Sequence, residues 1–176
     1  SSDVDVTSVD ATAGDAYVSV NVGRSTDVDI GNVVADGEAG AATVLFATAS
    51  DAKNVTLAVD DVDSGSGGVT VLFDVGTTSS LSMGSLTATA GDVVLSVTGG
   101  ASIDFDNATS DIASTGSGNT ITAEFEGGSR FTVGLHDFDA AGDISLDLTS
   151  GTSADVDLGT IDSTAGAVSV ALNLGT

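Results

Sequence analysis

The chain has 176 residues, 41% of them hydrophobic, which rules out a disordered acidic tail and suffices for one domain with a sizeable core. Its 26 Asp and Glu face 3 Lys and Arg, a formal net charge of −23, so a nucleic-acid partner, which needs phosphate-binding cations, is not expected. The absence of Cys excludes a disulfide framework, thiolate metal sites and cysteine catalysis, and no apolar run reaches the ~20 residues of a membrane helix.

The chain opens with "SSDVDVTSVDATAGDAYVSVNVG", and this phrase returns in altered form until it closes the sequence as "SADVDLGTIDSTAGAVSVALNLGT". Cutting at each return divides a single repeat domain, 1–176, into segments 1–25, 26–50, 51–78, 79–100, 101–129, 130–152 and 153–176. Each segment begins with a short part, in chain order "DVDVTSV", "DVDIGNV", "NVTLAVDDV", "SLSMGSL", "SIDFDNA", "RFTVGLHDF" and "DVDLGTI". A longer alternating run follows: "AYVSVNVG", "ATVLFATA", "VTVLFDVG", "VVLSVTGG", "TITAEFEG", "DISLDLTSG" and "AVSVALNLG". The period of two predicts strands with one buried face, and the β-branched composition agrees. With no Trp, one Tyr and six Phe, the predicted core consists mainly of small apolar units.

The short parts bear on the choice between two all-β architectures. Their apolar residues fall at i, i+2 and i+5: Val4, Val6, Val9; Val28, Ile30, Val33; Leu81, Met83, Leu86; Val156, Leu158, Ile161. Segments three and six add a pair before the same step (Val55, Leu57, Val59, Val62; Phe131, Val133, Leu135, Phe138), whereas segment five follows it poorly, with Ile103 and Phe105 before Ala108. A straight strand would use i+4, so the extra residue marks a corner. A recurring corner within a unit of about 25 residues predicts a β-solenoid of about seven coils with three faces each. At ~4.8 Å per coil the rod would be 34 Å long. The alternative is an antiparallel β-sandwich or meander with hairpins at the Gly-rich joints.

Asp-x-Asp recurs in the first strand, as Asp3 and Asp5, Asp27 and Asp29, Asp104 and Asp106, Asp155 and Asp157. These residues flank inward apolar positions, so both carboxylates should point outward, and stacked coils would bring like charges within ~5 Å. Calcium, which takes hard oxygen ligands, would turn that repulsion into a clamp; high salt would screen it instead. The "DDVD" cluster, Asp60, Asp61 and Asp63, is a candidate discrete ion site. Further corner acids are Asp10, Asp137, Asp139 and Asp162, while Asp15, Asp92 and Asp143 in the "AGD" turns are expected to bond local backbone amides. Asn54 and Asn107 fit the N-glycosylation pattern, and "TAT" at Thr87 to Thr89 is a single instance of the Thr pattern of ice-binding arrays. Catalysis is not expected. The one His, His136, has no nucleophile context, and Arg24, Lys53 and Arg130 lie in different segments.

The tandem "AGDVxLxxxxG"-type phrases, Asp-rich, Lys-poor and without Cys, resemble the β-strand-repeat regions of secreted bacterial surface proteins: surface-layer proteins, RTX-type adhesins and filament subunits. Archaeal halophilic surface proteins share the acidic composition. The resemblance implies export to an extracellular or cell-surface location, calcium as stabilising ion, and a role as lattice, fibre or adhesive. The RTX nonapeptide run is absent; "DSGSGGVTV", Asp63 to Val71, is a distant echo of it. The function expected is that of a structural subunit that assembles with itself head to tail, Thr176 meeting another copy's Ser1 as at the internal joints. An adhesin that grips a glycan or ice, and a fragment of a longer solenoid, are the alternatives.

Overall fold

The computed structural model of the protein describes residues 2–107 and 110–175. Its strands wind as about seven stacked coils. Coil 1 holds β1 (Ser2–Ala11) and β2 (Ala16–Val22), and coil 2 holds β3 (Thr26–Ala35) and β4 (Ala42–Thr48). Coil 3 holds β5 (Lys53–Val59), β6 (Val62–Ser64) and β7 (Val69–Val75); coil 4 holds β8 (Thr78–Met83), β9 (Leu86–Ala88) and β10 (Val93–Gly99). Coil 5 holds β11 (Ser102–Asn107), β12 (Ile112–Ser114) and β13 (Ile121–Gly127); coil 6 holds β14 (Arg130–Leu135), β15 (Phe138–Ala140) and β16 (Ile144–Ser150). Coil 7 holds β17 (Ser153–Leu158), β18 (Ile161–Ser163) and β19 (Val168–Leu174).

Every pairing among these strands is parallel, which overturns the sandwich and meander alternative. The fold is a β-solenoid with three faces. The first runs from β1 and β3 through β5, β8, β11 and β14 to β17. The second runs from the ends of β1 and β3 through β6, β9, β12 and β15 to β18, and the third from β2 to β19. The first two faces join through β1 and β3, which pass unbroken around the corner that the later coils interrupt. Among the described residues no strand is antiparallel, no helix occurs, and so none is long and apolar enough to cross a membrane.

The i, i+2, i+5 step is the first corner. Val28, Ile30 and Val33 are buried, as are Leu81, Met83 and Leu86, because the two residues after the second apolar position turn the chain without turning the inward side outward. Coil 5 differs. Asn107 occupies the inward column between Met83 and Leu135, Ala108 lies outside the described residues, and Ile112 resumes the core on the second face. Four residues, rather than two, lie between these inward positions in the sequence, which explains why the spacing pattern failed there.

All six Phe are buried, a stronger aromatic contribution than the composition implied. Phe46 stacks on Phe73 with ring centroids 5.0 Å apart, and Phe73, Phe105, Phe125 and Phe131 continue the series through edge-on and tilted contacts at 5.2–6.2 Å. These rings bridge faces and fill the wide middle of the coil, where Val and Ala would leave voids.

Candidate functional site

Strand register decides which carboxylates meet. On the first face Asp3 pairs with Asp27 and Asp5 with Asp29, all four exposed, as two short outward columns. The columns then break. Asp27 and Asp29 face Thr56 and Ala58 of coil 3, and coil 4 contributes Ser80 and Ser82. Asp104 and Asp106 stand between those serines and Thr132 and Gly134, and Asp155 and Asp157 follow coil 6 at the far end. The fold therefore joins the pairs of segments one and two, and separates them from the pairs of segments five and seven. Asp27 and Asp104 edge a surface depression of about 540 Å³ that Thr56 and Ser80 also line.

The "DDVD" acids diverge. Asp61 turns to coil 4, where its Oδ1 accepts from the Ser85 N–H and hydroxyl, both at 2.8 Å. Asp60 is exposed at the corner, and Asp63 lies between Val34 and Thr87 on the second face. Burial holds the Asp63 carboxyl above its ordinary value of 3.8; Thr87 opposes this by hydrogen bonding, and the charges of Asp61 and Asp36 add to it. Asp137 repeats the Asp61 role, accepting from the Thr160 N–H at 2.7 Å, and this bond holds its carboxyl below the ordinary value.

The "AGD" carboxylates correct an expectation. They bond backbone amides, but those of the following coil: Asp15 takes Ala41 N–H at 2.9 Å, Asp92 takes Thr120 at 2.7 Å and Asp143 takes Ala167 at 2.7 Å. A sequence reading sees only the turn, whereas the partner lies one full coil away. Buried and half-buried serines make a second inter-coil series that periodicity did not reveal. Ser64, Ser114 and Ser163 donate to the carbonyls of Gly40, Gly91 and Gly142 at 2.7–2.8 Å.

Asn54 is exposed with φ at 57°, beside a register shift in β5. Asn107 is 2% exposed, and its side-chain nitrogen, the atom a glycan would use, donates to the carbonyls of Met83 at 3.1 Å and Gly84 at 2.6 Å. Thr109 of that pattern lies outside the described residues. Thr87 begins no Thr array, since its column neighbours are Asp63 and Ala113. On the third face Thr43, Thr70, Val94, Thr122, Ser145 and Ser169 do align, a column visible only once the coils are in register.

The two end coils carry the other candidate surface. Val168, Val170, Leu172 and Leu174 continue the inward columns of Ile144, Leu146, Leu148 and Ser150, yet they are 38–50% exposed. At the other end Val4, in the column of Val28, is 36% exposed. Coils 1 and 7 correspond residue for residue: Asp3, Val4 and Asp5 to Asp155, Val156 and Asp157, Val9 to Ile161, Val18 to Val170, and Gly23 to Gly175. The fold and these surfaces define a parallel β-solenoid repeat protein with acidic outer columns and apolar coil ends. No protein-family model, curated protein or solved structure matches the chain significantly.

Proposed function

We propose that the protein is a structural subunit of extracellular or cell-surface material and stacks end to end with further copies, coil 7 of one on coil 1 of the next. The observation that carries this reading is the residue-for-residue correspondence of coil 7 with coil 1, which puts their inward apolar columns in one register. Pairing Asp155 with Asp3 sets Val156 on Val4, Ile161 on Val9 and Val170 on Val18, so every apolar column continues without an inserted or skipped residue. Parallel strand edges at both ends supply the backbone donors and acceptors for such an extension.

The same register would line up Asp155, Asp3 and Asp27 in one column and Asp157, Asp5 and Asp29 in another. Adjacent strands lie about 4.8 Å apart, and calcium–oxygen bonds run about 2.4 Å, so a calcium ion between neighbouring carboxylates would meet both. Calcium is therefore assigned the role of joining ends that repel in its absence. Light scattering of the purified chain in calcium, in EDTA, and in sodium chloride of matched ionic strength provides the test. Stacking by calcium alone is the expected result. Equal stacking in salt would remove the calcium role, and monomers under all three conditions would overturn end-to-end assembly.

A further inference from the structure

The corner between the first and second faces of coils 5 and 6 brings together Asp111, His136 and Asp137. Nδ1 of His136 lies 2.8 Å from Oδ1 of Asp111 and 3.9 Å from Oδ2 of Asp137. One donor atom from each of the three side chains lies within 4.8 Å of the other two. We propose that these residues form a surface site for a divalent first-row transition-metal ion, zinc being the probe of choice. This proposal is independent of end-to-end assembly.

The first argument is geometric. A tetrahedral zinc ion with bonds of about 2.0–2.2 Å holds its donors roughly 3.4 Å apart. The two separations at His136 bracket that value, so neither contact needs to change by as much as about 1 Å. The second is rigidity. Asp111 and Asp137 immediately precede the paired strands β12 and β15, and the Ile112 N–H donates to the Asp137 carbonyl at 2.9 Å. Asp137 is also oriented through its other oxygen, Oδ1, which takes the Thr160 N–H and leaves Oδ2 toward the imidazole. Such outer contacts fix the direction of a ligating carboxylate.

The third argument is chemical. At the matching corner of coil 3, Asp61 has Ser85 as its neighbour in the next coil and Asp60 where coil 6 has His136, so only oxygen donors are present. His136 adds the nitrogen that selects zinc, cobalt or nickel over calcium and magnesium. The donor set is half-buried to exposed, so solvent can complete the coordination. The competing role for His136 is a plain ion pair in which a protonated imidazole lies between two carboxylates.

The chain contains a single His, so its imidazole signals in a proton–nitrogen correlation spectrum are unambiguous. Titrating the whole chain with zinc in calcium-containing buffer at mildly alkaline pH should move the Nδ1 resonance in a saturable way, with one zinc per chain. Asp111→Asn and Asp137→Asn should each weaken binding by about 10–100-fold, and Asp74→Asn, on the third face, should not. An imidazole signal that zinc leaves unmoved would overturn the site, and this wild-type measurement stands even if a variant folds poorly. Affinity unchanged in both corner variants, or an equal response to calcium alone, would show adventitious binding or simple charge screening and would overturn it as well.

Discussion

Asp63 illustrates how one side chain's environment departs from its neighbours' despite shared chemistry. It projects from the second face among Val34, Thr87 and the charges of Asp61 and Asp36, and burial raises its carboxyl above 3.8. A raised carboxyl means that the folded chain binds this proton more tightly than the unfolded chain does. Its contribution to stability is therefore most favourable below 3.8 and is lost as pH rises through the folded value. Asp63→Asn keeps an acceptor for Thr87 and removes the charge. It is expected to stabilise the protein by about 0.5 kcal/mol at neutral pH and by nothing once the native carboxyl is protonated. Urea unfolding of both proteins across acidic and neutral pH checks this; a difference independent of pH would contradict it.

At the level of the element, a turn carboxylate works as a tie between coils. Asp92 leaves its own turn and caps the Thr120 N–H at the entry to β13, as Asp15 does for Ala41 and Asp143 for Ala167. A charged acceptor on a backbone amide is a stronger bond than a neutral one. Asp92→Ala should cost about 1–2 kcal/mol and speed hydrogen exchange at Thr120, whereas Asp92→Asn should retain much of the bond. Equal losses in the two variants would indicate that the charge, rather than the hydrogen bond, is what matters. The ladder also accounts for part of the Asp excess, because each such Asp serves a neighbouring coil while remaining on the surface.

Across the whole molecule, coil spacing is set by backbone approaching backbone. At the joint between the third and first faces, Gly100 donates its N–H to the Gly76 carbonyl at 3.0 Å, and Gly128 and Gly151 repeat the step at 2.8 Å. A Cβ on Gly100 would lie 2.7 Å from that carbonyl, but one on Gly23 would meet nothing within 4 Å. Gly100→Ala should therefore destabilise the chain by about 1–3 kcal/mol. Gly23→Ala should leave the single chain's stability unchanged, because no coil precedes it within the structure. Under the end-to-end reading, Gly23 meets Gly175 of the next copy, so the same substitution should weaken assembly. Calorimetry together with light scattering separates the two effects; unimpaired assembly by Gly23→Ala would argue against the proposed register.

The sequence on its own marked out the strands, the repeat of about seven units, and the corner with its inward side in every coil but the fifth. These follow from spacing along the chain, since a one-residue phase change alters which side chains can reach the core. It also placed Asp3, Asp5, Asp27 and Asp29 on one outward surface. It could not place Asp104 or Asp155 relative to them, because coil lengths vary and the residues between, such as Ala58 and Gly134, are set by register. Tertiary structure alone decided that the turn Asp residues bond across coils, that Asn107 is an internal bracket, and that His136 lies between Asp111 and Asp137. The turn Asp bonds, the Asn107 bonds and the His136–Asp111 contact each join residues about one coil apart, and stacking in space, rather than periodicity along the chain, selects the partner.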